Sequence, residues 1–145
     1  MAKVSVFRLE HEKLGIGPFM AHHHFDDCDL SYDEMDRIAS ICDKMANEWH
    51  TIECHSLKTF PIPRNDALAF MKDHHFFGAT TLNTLKKWFN HRFNYFNELF
   101  DAGFTVREYE VSSTYVHPGK SGTQVMFNRE KAKMVKDHTM LALVD

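Results

Sequence analysis

The chain has no long hydrophobic run. None of its apolar segments approaches the roughly 18 residues that cross a bilayer, so no membrane partner is expected. It also lacks a basic surplus. Lys and Arg number 17 against 20 Asp and Glu, a formal net charge of −3 with a pI of about 6.4. A protein that tracks nucleic-acid phosphates needs a basic face, so no nucleic-acid partner is expected. Paired cysteines are missing too. Cys28, Cys42 and Cys54 are odd in number and form no C-x-x-C spacing, which reads as free thiols in a reducing compartment. No secretory pattern opens the chain: Lys3 is followed by a short apolar run, then by Arg8 and Glu10. These absences together point to the cytoplasm.

Two catalytic signatures are absent as well. There is no G-x-S-x-G nucleophile elbow. The run Gly15-Ile16-Gly17-Pro18 lacks the third glycine of a dinucleotide fingerprint, and Pro18 removes a backbone donor that a phosphate loop would use. It reads as a turn, or as a pocket lip where backbone approaches a ligand closely.

What is present suits a globular chain. The 145 residues are 43% hydrophobic, with 13 Phe, and fit a single domain over 1–145. Val4 to Leu9 alternates as a strand. Ser31 with Glu34 forms a capping box, and Leu30 with Met35 forms a hydrophobic staple. Apolar residues then recur at Met35, Ile38, Cys42, Met45 and Trp49, which predicts an amphipathic helix over about 32–49. Thr80 or Thr81 is a candidate N-cap for a second, long, aromatic-rich helix over about 82–101. Leu82, Leu85, Trp88, Phe89, Phe93, Phe96, Leu99 and Phe100 keep helical spacing, and Gly103 suits the position after its end. Phe104 to Val111 and Gln124 to Phe127 read as strands, and Met134-Val135 as a further short one. Residues 112–122 read as a turn-rich loop. The order implies an α+β fold with a small mixed, mostly antiparallel sheet.

The 11 histidines raise the question of metal. His22, His23 and His24 precede Asp26, Asp27, Cys28 and Asp29, but adjacent residues point in different directions and do not converge on one tetrahedral centre. His50, Cys54 and His55 are better spaced without a full ligand set. A solvated His-rich loop is the simpler reading, and neither a metal nor another cofactor is expected. Cys42 lies on the apolar stripe of its helix and reads as packing.

The informative set is dispersed. Arg8 interrupts the first strand, and a core arginine needs an anion or a carboxylate. Thr80 and Thr81 open a helix whose N-terminus offers backbone donors to an anion. Gln124 is able to hydrogen-bond a ribose hydroxyl or a base edge. Phe19, Phe77 and Tyr115 are candidates to stack a base, and His11 to add a donor when protonated. The structural alternative pairs Arg8 with Glu10, Glu108 or Glu110, leaves the threonines as plain caps and turns Gln124 to solvent.

The blocks VFRLEHEKLGIGPF, FFGATTLNTLKKWF and GFTVREYEVSSTYVHPGKSGTQVMF resemble a family of small phage and bacterial proteins. Their order also resembles, in outline, the ADP-ribosyltransferase fold. Those enzymes carry a polar residue, often Arg or His, on the first strand, a Ser/Thr-containing segment in the middle and a catalytic Glu on a late strand. That resemblance implies a split sheet around an NAD-sized cleft, with Arg8, Thr80 and Thr81 at matching places. Gln124 departs from the pattern. An amide cannot supply the carboxylate that stabilises an oxocarbenium-like centre. The expectation is therefore a nucleotide-type ligand, ADP-ribose-like or a cyclic nucleotide, bound without turnover by Arg8, His11, Phe19, Phe77, Thr80, Thr81, Tyr115 and Gln124. A phage protein of that kind would act in the host cytoplasm and blunt a defence pathway by sequestering its signal. The alternatives are an ADP-ribosyltransferase or other NAD-cleaving enzyme using Glu130 or another carboxylate, or a protein-binding inhibitor using its Phe-rich helix or acidic loop. A homo-oligomer stays open.

Overall fold

In the computed structural model the described residues are 2–15, 17, 30–51, 68, 75–89 and 95–144, with residues 46–51 described by backbone alone. They form an α+β arrangement of two three-stranded antiparallel sheets and three helices. The strands are β1 (Lys3–His11), β2 (His75–Gly78), β3 (Phe104–Ser112), β4 (Val116–Pro118), β5 (Val125–Asn128) and β6 (Lys133–Asp137). The helices are α1 (Tyr32–Thr51), α2 (Leu82–Phe89) and α3 (Phe96–Asp101).

One sheet runs β1-β3-β6 and the other β2-β5-β4. They meet at a two-bond bridge. The Phe7 N–H donates to the Ala79 carbonyl at 2.7 Å, and the Ala79 N–H donates back to Phe7 at 2.9 Å. Gly78 makes this approach feasible. A Cβ there would lie 2.6 Å from Val6 Cγ1 and 2.7 Å from the Phe7 carbonyl oxygen, so only a residue without a side chain fits.

Strand alternation divides the core in two. One face of the first sheet sends Val6, Tyr109 and Val111 against Val125 and Phe127 of the second. The opposite face, with Leu9, Phe104 and Val106, packs on Ile38, Ile41, Cys42 and Met45 of α1 and on Leu85 and Leu99. The entry to α1 follows from its sequence. Ser31 Oγ accepts from the Glu34 N–H at 3.2 Å, and Leu30 and Met35 both join the helix-side cluster.

The expected α+β class is what the structure has, and it adds detail in three places. The long aromatic helix is described as two pieces, α2 and α3, and Tyr95 before α3 has non-helical dihedrals (φ −103°, ψ 4°). Residues 90–94, between the two pieces, lie outside the described residues. Most of the stripe is core, with Leu85, Trp88 and Leu99 buried. Second, residues 112–122 hold a 3-10 turn (Ser113–Tyr115) and β4, which is only three residues long and ends at a proline. Third, the single mixed sheet is two sheets, and every described ladder is antiparallel. Gly103 ends the α3 region with φ +94°, as a residue after a helix often does. The His22–His24 loop, Cys28, Cys54, His55 and Phe19 lie outside the described residues.

Candidate anion-binding site

Arg8 and Glu10 share one face of β1, because residues two apart in a strand point the same way. Glu10 is fully buried and accepts four charged or polar donors. Arg8 Nε reaches Oε1 at 3.0 Å, while Arg107 Nη1 at 3.0 Å, Arg129 Nη2 at 3.2 Å and the Tyr109 hydroxyl reach Oε2. Arg107 and Tyr109 come from β3, whose register sets Arg107 opposite Arg8 and Tyr109 opposite Val6. Arg129 comes from the 3-10 turn Arg129–Lys131 after β5, which Asn128 caps by accepting from the Glu130 N–H at 3.0 Å.

The three guanidiniums differ in how fully they are held. Arg8, with 5% of its side chain exposed, donates to Glu10, to the Phe77 carbonyl at 2.7 Å and to the Gly15 carbonyl at 3.2 Å. Arg107, 16% exposed, also donates to the Glu12 carbonyl at 2.9 Å and lies 3.6 Å from an Asp137 oxygen. Arg129, 30% exposed, has Glu10 as its hydrogen-bond acceptor among the described residues. Its guanidinium lies 4.3 Å from the Tyr109 ring centre and 6.0 Å from that of Phe76, while Arg8 lies 4.7 Å from Phe76. The Nε atoms of Arg107 and Arg129 are buried with no hydrogen-bond partner among the described residues.

Charge in the cluster is unbalanced. Three guanidiniums face two described carboxylates, Glu10 and Asp137, a surplus of one positive charge. Burial pulls the Arg8 pKa down against the opposing charge of Glu10. Burial also works against the charge on Arg107, but its hydrogen bond and attraction to Glu10 outweigh that and raise it. Burial and the hydrogen bond to Glu10 push the Tyr109 hydroxyl up to about 12, so it stays protonated as a donor. A buried arginine keeps its proton at neutral pH, so an anion is the natural complement to the surplus.

The sequence-predicted residues fall into separate places. Phe77 meets Arg8 through its backbone carbonyl. Thr81 caps α2, its Oγ1 accepting from the Thr84 N–H at 3.1 Å, and Thr80 is exposed beside it. Gln124 is buried and immediately precedes β5, whose Val125 pairs with Gly78. The Trp88 indole donates to the Thr123 carbonyl at 2.6 Å, tying α2 to the segment that carries Gln124. Thr80, Thr81 and Gln124 thus cluster at one end of the second sheet. Tyr115 packs at the far edge, with Lys131 Nζ 6.0 Å from its ring centre.

His11 lies on the helix side of β1, away from Arg8 and Glu10. Its Nδ1 accepts from the Lys13 and Leu14 N–H groups, both at 3.1 Å, and its ring meets Phe104 edge-on. Burial holds its pKa below the usual value. These contacts close the turn after β1 and make His11 a neutral acceptor rather than a cationic donor. Glu10, Arg107, Tyr109 and Arg129 are the site residues the sequence reading did not assemble. The Arg8–Glu10 pairing was one of three carboxylate pairings that the sequence left open for Arg8.

Cys42 is buried, and burial raises its thiol to about 12, consistent with packing. Among the described residues no group of His, Cys, Asp and Glu is placed to hold a metal ion, and no helix is long and apolar enough to cross a membrane.

A family model described as "Bacteriophage T4 Y00F protein" matches residues 1–141. The chain belongs to that phage protein family. No curated protein and no solved structure matches it.

Proposed function

We propose that the chain is a phage nucleotide-binding protein that holds an ADP-ribose-like or cyclic-nucleotide ligand without turning it over, and so withdraws an immune signal from a host defence pathway. The observation that carries this reading is the surplus positive charge around Glu10, set between two sheets and rimmed by aromatic rings. Phosphate, like carboxylate, matches the geometry of an arginine fork. Membership of a phage family supports the anti-defence sense. Gln124 supports retention without cleavage, because an amide binds sugar or base edges but cannot stabilise a cationic sugar centre.

A second reading has an observation of its own. Tyr32 on α1 and Phe100 on α3, 83% and 61% exposed, are the aromatics that a protein-binding inhibitor would present. An NAD-cleaving transferase would draw on Glu130, which is exposed on the 3-10 turn beside Arg129. Incubation with labelled NAD and a panel of cyclic nucleotides, followed by denaturation, separates the three. Recovery of intact ligand supports sequestration. Release of nicotinamide or labelling of protein overturns it in favour of the transferase. Retention of no nucleotide overturns it in favour of the inhibitor.

A further inference from the structure

We infer that Arg129, rather than the strand arginine Arg8, is the residue that meets the phosphate of the ligand. The inference rests on the nucleotide-binding reading and names the side chain that carries its charge. Every nitrogen of Arg8 already donates to a protein oxygen, those of Glu10, Phe77 and Gly15. Arg107 is shared between Glu10, the Glu12 carbonyl and Asp137. Both are held as structural counter-ions of the Glu10 carboxylate.

Arg129 differs in three respects. It is the most exposed of the three, and its hydrogen-bond acceptor among the described residues is a carboxylate oxygen already taking donors from Arg107 and Tyr109. Its plane is set by the Tyr109 ring on a turn fixed by the Asn128 cap, so little conformational freedom is lost when a ligand arrives. The backbone beside it is open for the same reason. Gly15 has φ +70°, and a Cβ there would lie 3.7 Å from Arg129 Nη2. Gly15 therefore presents backbone without a side chain beside the arginine that carries the surplus charge.

The ligand class is a phosphate or pyrophosphate group, free or on a nucleoside. Calorimetric titration of the full chain with inorganic pyrophosphate and with ADP tests the assignment. The variants are Arg129→Gln, Arg129→Lys and the neighbouring Lys131→Ala, each checked for an unchanged melting transition. The inference expects Arg129→Gln to weaken both ligands about 10- to 100-fold. Arg129→Lys should fall between it and the parent, since it keeps charge without the fork. Lys131→Ala should match the parent. If Arg129→Gln proves unfolded, the Lys variant decides: affinity equal to the parent for both ligands overturns the inference. Undiminished ADP binding in folded Arg129→Gln overturns it while leaving the nucleotide reading intact. Pyrophosphate binding lost in Arg129→Gln, with no ADP binding by the parent, upholds the inference and overturns the nucleotide reading. Binding of neither ligand by the parent overturns both.

Discussion

Arg8 and Arg107 stand directly opposite one another on the β1–β3 ladder, and each donates to a different oxygen of the same buried carboxylate, Glu10. Like charges facing across strands ordinarily destabilise a sheet. Here the carboxylate two residues along β1 lies on the same face and separates them. The pairing makes Glu10 the organising residue of the space between the sheets.

Replacing Glu10 tests that role. Glu10→Gln leaves three guanidiniums around a neutral amide. Removing one partner of a buried ion pair costs on the order of 3–5 kcal/mol. Urea unfolding should show a loss in that range. A loss below about 1 kcal/mol would mean that the arginines are held by their other contacts.

Gly78 should tolerate no side chain. Gly78→Ala would press a methyl against the Phe7 carbonyl at the bridge between the sheets. Overpacking of this kind costs roughly 1–3 kcal/mol. A backbone carbonyl that also bonds Ala79 has little freedom to retreat. The amide protons of Phe7 and Ala79 should then exchange faster with solvent, whereas parent-like exchange would contradict the account.

His11 gives a pH dependence of definite sign. Its pKa in the fold lies below 6.5, chiefly through burial, so the unfolded chain takes up the proton first. The stability from neutral His11 is full above pH 6.5 and is lost as pH falls from there through the folded value. His11→Asn keeps an acceptor for the turn but does not titrate. Although less stable at pH 8, it should lose less additional stability than the parent between pH 7 and pH 5. Equal slopes in denaturant melts would count against this assignment.

Cys42 should resist alkylation in the native state. A buried thiol raised to about 12 holds almost no thiolate at pH 8. Mass mapping after brief iodoacetamide treatment should find Cys42 unmodified until denaturant is added. Rapid native labelling would show that the α1 stripe opens readily.

Local features were legible in the sequence. The Ser31–Glu34 box and the Met35-Ile38-Cys42-Met45 stripe lie within a few residues of each other, and the structure places them as spacing implies. Arg8 stood out because a charge interrupted an apolar strand, and Glu10 was one of three acidic partners considered for it. Alternation within β1 puts Glu10 on Arg8's own face, whereas Glu108 pairs across from Phe7 and bonds His138 instead. The rest of the hub is non-local. Arg107 joins through the strand register, and Arg129 meets Glu10 from 119 residues away. Neither relation leaves a periodic trace. The same limit explains Thr80, Thr81 and Gln124: their order along the chain does not tell that they gather at one end of β5 while Arg129 follows the other.

The arginine side-chain amide spectrum of the ¹⁵N-labelled chain, recorded during addition of ADP, tests the central claim most directly. The account predicts that the Arg129 Nε–H resonance moves in saturable fashion, with Arg8 little changed because its donors are already committed to protein oxygens. ADP that saturates the chain while leaving Arg129 unmoved, or no response from any arginine at millimolar ADP, would contradict it.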